Sequence, residues 1–252
     1  MSQTPYLSLI LPAYNEAQRI RQTLDQVRAY LDRQGYGYEV IVAADGDDGT
    51  RELVAAVAAR DGRVRVLGSP GRGGKGRGIR LAVARAHGQV IGFIDADYKT
   101  PIEEMEKPLP WFARGYDIVI GSRAASGSRI EVPAPLHRRL GSKGFAIAMH
   151  LTVGLWNVQD TQCGFKFFRG PVARDLFGRQ RIDGYMFDVE VLYLAERSRY
   201  RIREVGVRWR DDGDSRLDLV AGNWRNMIDI LRIRFGPGSR APTAAPSGRE
   251  AA

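Results

Sequence analysis

The chain is poor in sulfur and in histidine. One cysteine, Cys163, stands among 252 residues, so no intrachain disulfide can form and a reducing compartment is allowed. The three histidines, His87, His137 and His150, are scattered and form no metal or nucleophile pattern. Long apolar runs are also missing. No window reaches the ~18 uncharged apolar residues of a membrane span, and the nearest approach, Gly144 to Trp156, is too short. The first residues, MSQTPYLSLILPAYNE, have no basic n-region and too short an apolar run for a signal peptide. There is no internal repeat. Negative charge is in deficit: 38 Lys and Arg against 29 Asp and Glu leave a formal charge of +9. That balance favours anionic partners, whether nucleic acid, phosphorylated ligands or acidic lipid.

What is present organises itself around Val90 to Pro101, VIGFIDADYKTP. Val90, Ile91, Phe93 and Ile94 form a short apolar run that predicts a strand buried on both faces. It ends in Asp95-Ala96-Asp97, at the carboxyl edge where open α/β sheets bind ligands. Thr100, Pro101 and Glu103 then predict a helix start, with Thr as N-cap and Pro in the first helical position. Two acids one residue apart can share one hard cation with a ligand's phosphates; an Asp-rich turn is the plainer alternative.

Alternation of short strands and helices runs through the first half. Tyr6 to Leu11 predicts a strand closed by Pro12, and Asn15 can cap a helix bearing Ile20, Leu24, Val27 and Leu31. Tyr38 to Ala44 predicts a second strand, ending at Asp45. Thr50 caps a helix with Leu53, Val54, Val57 and Ala58 inward. Val64 to Leu67 is a third strand, followed by the glycine-rich SPGRGGKGRG and a helix from about Ile79 to His87. A helix over 101–113 and a strand from Asp117 to Ser122 complete this half. The pattern implies a parallel sheet covered by helices.

The second half predicts a loop from Ser126 to Pro135 and a helix from Leu136 to Trp156. A polar turn from Asp160 runs into an aromatic strand ending at Phe168. Further elements are a helix from Phe187 to Ser198, an alternating strand from Tyr200 to Trp209 and a last helix over roughly Leu219 to Phe235. One domain over 1–235 is expected, in two halves, 1–123 and 124–235. The Pro/Ala/Gly/Ser tail over 236–252 is expected to be disordered.

The glycine-rich loop tests a tempting motif. Gly71-x-Gly73-x-x-Gly76, with Asp95 about 20 residues on, matches a dinucleotide fingerprint. That fingerprint belongs in the first βα turn of its unit, however, and this loop adds Arg72, Lys75 and Arg77. A P-loop fails because Gly76, not Ser or Thr, follows Lys75. What survives is a basic loop able to approach an anion, or merely a solvated one. The acids are more telling as a set. Glu16, Asp45, Asp95 and Asp97 follow three different strands, and in a parallel sheet all would lie on one edge.

These residues resemble a known family. Leu11-Pro-Ala-Tyr-Asn-Glu16, Ala44-Asp-Gly with Asp48-Gly-Thr50, Asp95-Ala-Asp97 and Ile120-Gly-Ser-Arg123 are similar to the inverting GT-A glycosyltransferases of family 2. Asp160-Thr-Gln-Cys-Gly-Phe-Lys166, Phe187-Asp-x-Glu190 and Arg210-x-x-Gly213-x-Ser215 narrow the resemblance to dolichyl-phosphate β-glucosyltransferases and their prokaryotic polyprenyl-phosphate relatives. The resemblance covers about residues 6 to 234 and implies an α/β GT-A fold whose 1–123 half binds the nucleotide-sugar and whose 124–235 half binds the acceptor. It assigns Pro12, Tyr14, Glu16 and Asp45 to the nucleotide pocket, with Lys75 beside the donor. Asp95 and Asp97 become the metal-binding pair, with Asp97 as direct ligand to Mg²⁺ or Mn²⁺. Arg123, Arg138 and Arg210 would grip the acceptor phosphate, with Asp160, Gln162, Asp188 and Glu190 on the acceptor side. Lys99 departs from the Gln found at that position in the mannosyltransferase branch, and its cation is expected to turn away from a metal or to contact phosphate.

The implied activity is transfer of a hexose, glucose from UDP-glucose, onto a polyprenyl phosphate. A phosphate monoester is largely dianionic at neutral pH and needs no general base. A hydroxyl acceptor would need one, with Asp160, Asp188 or Glu190 as candidates. That hydroxyl-directed activity is the rival enzyme reading. A basic nucleic-acid module is disfavoured, since it gives no reason for acids on one sheet edge. A cytoplasmic location is expected, peripheral at the inner face of the cell membrane. Contact would run through Leu136 to Trp156, which carries Arg138, Arg139 and Lys143, and through the last helix, with Trp224, Ile228 and Leu231 interspersed with Arg225, Arg232 and Arg234.

Overall fold

The computed structural model describes residues 4–132, 136–210 and 221–236, without the side chains of 136–143, 145 and 221–223. Its elements, in order, are β1 (Leu7–Tyr14), α1 (Ile20–Leu31), β2 (Tyr38–Asp45), α2 (Thr50–Ala58), β3 (Val64–Leu67), α3 (Lys75–Val83) and β4 (Val90–Ile94). A 3₁₀ turn (Ile102–Glu106), α4 (Leu109–Ala113), β5 (Ile118–Ser122), β6 (Arg129–Val132) and α5 (Leu136–Val153) follow. The chain continues through β7 (Phe165–Arg169), α6 (Gly170–Arg179), α7 (Phe187–Arg197), β8 (Ile202–Gly206), β9 (Arg208–Arg210) and α8 (Ala221–Phe235).

Seven strands form one sheet in the order β3-β2-β1-β4-β7-β5-β8, and β6 pairs with β9 in a small second one. The large sheet is parallel except for β7, which runs antiparallel to both β4 and β5. Every residue of β2 and β4 is buried, as the apolar runs require of strands covered on both faces. Alternation splits the core in two. Leu9, Leu11, Val40 and Val42 pack on one face beneath α1, α2 and the 101–113 region. Ile10, Ile41, Phe93 and Phe168 pack on the other, beneath α3, α5, α6, α7 and α8. Phe93 contacts the rings of Phe168, Phe177 and Phe187 at 5.6–6.4 Å, each buried ring contributing roughly 1.5–3 kcal/mol.

Local expectations fail where a neighbouring group intervenes. Asn15 does not cap α1. It lies at φ 53°, and its side-chain oxygen accepts the Asp47 N–H at 3.1 Å, tying the ends of β1 and β2. Thr50 is the first residue of α2 rather than its cap, and Asp48 accepts its N–H at 3.0 Å. On α2 Val54 is buried but Leu53 is exposed. Pro12 lies inside β1, tolerated because the β4 ladder stops at Ile10. The helix expected over 101–113 is two short pieces. Pro108 and Pro110 lack the N–H groups a continuous helix would need there, and Pro101 enters it extended with no side-chain cap from Thr100. α3 starts within the glycine loop, earlier than Ile79.

The strand expected over 200–209 is broken at Val207. Its N–H bonds to the Ser122 carbonyl, and the residues after it leave for the small sheet. β6 occupies what the sequence predicted as loop, and α6, which opens at Gly170-Pro171, was not anticipated. Pro171 in fact sits in the first turn, where its missing N–H costs nothing. Residues 133–135 of that predicted loop, Leu219 and Val220 of the last helix, Gly213 and Ser215, and residues 237–252 of the predicted tail lie outside the described residues.

Candidate active site

The carboxyl ends of β1, β2, β4 and β5 bring the motif residues to one edge of the sheet. At β1, Tyr14 is partly exposed and the Arg72 guanidinium lies over its ring, 4.7 Å from the centroid. Glu16 follows, its N–H donating to Thr50 Oγ1 at 2.9 Å. At β2 the Asp45 carboxylate gathers the glycine loop: it accepts the Ser69 N–H at 3.1 Å, the Ser69 hydroxyl at 3.3 Å and the Gly73 N–H at 2.8 Å. Two amides at the start of α3 are engaged as well. The Asp183 carbonyl accepts from Gly76 and Arg77 at 2.9 and 3.3 Å. A side chain at Gly76 would collide with the Ile182 carbonyl at 2.5 Å. Gly74 and Gly76 therefore serve close packing against the 180–184 turn, and the loop's Arg72, Lys75 and Arg77 side chains are what it could offer an anion.

Asp95 and Asp97 leave β4 facing this loop. Lys75 Nζ, at the start of α3, is 2.5 Å from Asp95 Oδ1, and Lys99 Nζ is 3.2 Å from Asp97 Oδ2. Gly164 lets Asp95 lie against the backbone, since an added Cβ would sit 2.0 Å from its Oδ2, and the Gly164 carbonyl accepts the Asp95 N–H at 3.1 Å. Burial and the adjacent Asp95 charge push Asp97 above the ordinary carboxylate range. Burial would lower the Lys75 ammonium, but Asp95 and Asp188 outweigh it and hold it charged.

Beside this pair, Arg123 and Asp160 form a two-pronged contact: Nε to Oδ2 at 2.7 Å, Nη2 to Oδ1 at 2.8 Å, with the Arg123 N–H also on Oδ2 at 2.9 Å. Burial pushes Asp160 up, but Arg123 prevails and holds it below its usual value. The Arg123 guanidinium lies 5.3 Å from the centroid of the Trp209 ring. The Gln162 N–H donates to Asp160 Oδ1 at 3.3 Å. Asp188 is buried against Lys166 at 2.7 Å, and Lys166 also donates to the Cys163 carbonyl at 2.6 Å. Burial raises Asp188 and Glu190 alike, and it pushes the Cys163 thiol up to about 12, a packed and unreactive state.

Glu190 stands apart from the acids at the strand ends. Its carboxylate accepts the Arg181 N–H at 3.1 Å and the Ile182 N–H at 2.8 Å, fixing the turn that carries the glycine loop. Arg210 lies in β9, where its N–H donates to the Lys99 carbonyl at 3.0 Å. Arg138 is on α5, but its side chain lies outside the described residues. Lys166 was missed as a site residue. A lysine inside an aromatic strand demands a buried acid, and Asp188 in the FDxE segment is that acid.

Among the described residues no three His, Cys, Asp or Glu side chains converge on a metal position. Two carboxylates are what β4 offers. That set fits a small hard cation which keeps waters and takes further oxygens from a phosphate, as Mg²⁺ and Mn²⁺ do.

The Glycosyl transferase family 2 model matches residues 8–177. A dolichyl-phosphate beta-glucosyltransferase of Trichomonas vaginalis is 35% identical over 240 residues, 90% of this chain and 70% of that protein. The Drosophila melanogaster dolichyl-phosphate beta-glucosyltransferase is 37% identical over 228 residues, 84% of this chain and 69% of that one. Among solved structures, glucosyl-3-phosphoglycerate synthase from Mycobacterium tuberculosis, in complex with Mn²⁺, UDP and glucosyl-3-phosphoglycerate, superposes with TM-score 0.65 at 22% identity, over 95% of this chain and 82% of that one. Mannosyl-3-phosphoglycerate synthase from Rubrobacter xylanophilus gives 0.69 at 17%, over 96% and 77%. The fold is GT-A, and with its acids gathered on one sheet edge and its motifs in register, the chain belongs to glycosyl transferase family 2.

Proposed function

We propose that this glycosyltransferase moves glucose from UDP-glucose to a polyprenyl phosphate with inversion at C1. One observation carries the choice of acceptor: the three carboxylates that might have served a hydroxyl acceptor as base are already spent. Asp160 is held ionised and weakly basic by Arg123, Asp188 is paired with Lys166, and Glu190 is bonded to backbone. A phosphate brings its own anionic oxygen. That oxygen attacks C1 from the face opposite the donor's diphosphate. As the new C1–O bond forms the old one breaks, and its electron pair leaves with the nucleoside diphosphate.

Pro12, Tyr14, Glu16 and Asp45 are assigned to the base and ribose, with Arg72 over Tyr14 closing the stack. Mg²⁺ or Mn²⁺ held by Asp95 and Asp97 would neutralise charge on the departing diphosphate. Arg123, Arg138 and Arg210 are assigned to the acceptor phosphate. With Nε and Nη2 of Arg123 turned to Asp160, the rest of its fork is what reaches the ligand. The names of the curated relatives support the lipid acceptor and glucose; the UDP and Mn²⁺ complexes of the structural neighbours support the donor and metal.

The acceptor places the enzyme at a bilayer. Among the described residues no helix is long and apolar enough to cross one. Two adjoining helices instead expose an apolar face: Ile147 and Leu151 on α5, Trp156 just beyond it, and Trp224 (74% exposed), Ile228, Leu231 and Phe235 (75%) on α8. Asn226, Asp229, Ile230 and Ile233 occupy the inward side of α8. With Arg225, Arg232 and Arg234 interspersed, this face suits peripheral contact with anionic lipid at the inner surface of the cell membrane.

A matrix of donors (UDP-glucose, UDP-galactose, GDP-mannose) against polyprenyl phosphate and hydroxyl acceptors, read by mass spectrometry, tests the proposal. Glucosyl phosphopolyprenol from UDP-glucose is expected, and Asp97→Asn should be inactive yet folded, since an amide is a poorer ligand of nearly equal size. Products confined to hydroxyl acceptors would transfer the case to the rival chemistry.

A further inference from the structure

Each acid of the Asp95/Asp97 pair already carries a lysine of the same chain, but the two lysines are bound differently. Lys75 lies between two acids: its ammonium is 2.5 Å from Asp95 and within the field of Asp188, with the Phe187 ring 5.9 Å away. Lys99 pairs with Asp97 alone among the described residues, at 3.2 Å. Its backbone is held by contacts beyond that ion pair. Tyr98 takes the left-handed conformation, φ 59°, and its N–H bonds to the Asp95 carbonyl at 3.2 Å. The Lys99 carbonyl accepts the Arg210 N–H at 3.0 Å, and its own N–H points at Asp97 Oδ1 at 3.4 Å. A left-handed non-glycine residue is held at a cost and marks a turn that the surroundings fix. The turn keeps the Lys99 stem at the acid pair.

Charge balance governs which ions can enter. Two carboxylates facing two ammoniums are neutral as a set. A divalent cation entering alone would leave two positive charges in excess in a mostly covered site, where like charges repel strongly. A diphosphate arriving with it supplies the missing negative charge and gives a displaced ammonium a new partner. We propose that Lys99 competes with the divalent cation for Asp97, and that the donor diphosphate resolves the competition by accepting the Lys99 ammonium. Metal and nucleotide then enter as a coupled pair, and Lys99 passes from one anion to the other. The inference rests on the nucleotide-sugar reading of this site.

The test is Mn²⁺ binding, followed by loss of the free-ion EPR signal, with and without UDP, on the full chain and on Lys99→Gln and Lys99→Arg. The wild type should bind Mn²⁺ weakly alone and about tenfold or more tightly with UDP, within the usual range of coupling between sites. Lys99→Gln should bind Mn²⁺ alone about tenfold better than wild type and lose a similar factor of the UDP enhancement, whereas Lys99→Arg should behave as wild type. Equal or weaker binding of Mn²⁺ alone by Lys99→Gln, with normal wild-type binding in the presence of UDP, overturns the role of Lys99 and leaves the nucleotide-sugar site standing. Failure of the wild type to bind Mn²⁺ even with UDP would remove the metal site and this inference together.

Discussion

Asp160 is engaged by Arg123 through both of its oxygens, and the proposed choice of acceptor turns on that pair. Buried with four donors on its two oxygens, it is worth more as an anchor for Arg123 than as a base. The sign of its pH effect follows from its depressed pKa. The pair's contribution is fully present above the unfolded carboxylate value of about 3.9 and is lost as pH falls through the lower folded value. Asp160→Asn should therefore cost roughly 1.5–3 kcal/mol at pH 7, with the gap from wild type closing below about pH 4. Urea unfolding at pH 7, 5 and 3 reads this directly; a gap independent of pH would mean that the charge is not what stabilises. At this scale Asp45, Asp95 and Asp97 were legible, because each follows an apolar strand run, whereas Asp160 and Asp188 were legible only through the family resemblance. Their counter-ions were not, since sequence spacing cannot tell which lysine meets which acid. Lys166 reaches Asp188 across 22 positions, and Lys75 reaches Asp95 across 20.

Between residues and molecule stands the glycine loop with α3. The sequence left it either a loop able to approach an anion or a solvated one, and the structure ties its end to the 180–184 turn. Glu190 on α7 holds the N–H groups of residues 181 and 182; Asp183 in the same turn receives those of Gly76 and Arg77 and pairs with Arg80 at 2.7 Å. Through Lys75 that scaffold ends on Asp95. Glu190→Gln puts an amide, with a single acceptor oxygen, where a carboxylate met this turn. An unsatisfied N–H costs about 1–3 kcal/mol, and the loosened turn should raise the donor KM several-fold while kcat changes less. Chemical denaturation paired with donor kinetics separates the two effects; lost stability with an unchanged KM would show that the turn does not support the donor site. Most strands were visible as apolar runs, whereas the broken helix over 101–113 and the break at Val207 depend on neighbours in space.

For the molecule as a whole, a formal charge of +9 and an exposed aromatic face point the same way. Basic residues near anionic lipid contribute roughly 1 kcal/mol each. The protein should float with anionic vesicles at low salt and release as salt rises, and a Trp224→Ser/Phe235→Ser variant should float markedly less while keeping its unfolding midpoint. Sedimentation of the wild type away from such vesicles at low salt would end the docking idea. The sheet carries a different consequence, for synthesis. β4 and β5 are complete by residue 122, but the strand joining them spans Phe165–Arg169. Until it is made, the nascent sheet exists in two pieces with bare facing edges, a state prone to wrong pairing. The backbone bond from Asp95 to Gly164 waits for the same moment. Asp95, which leaves the ribosome before residue 100, is thus among the last of the acids to be set in place, and a ribosome stalled near residue 150 would hold a chain with every motif of the proposed donor side but without the strand that completes it.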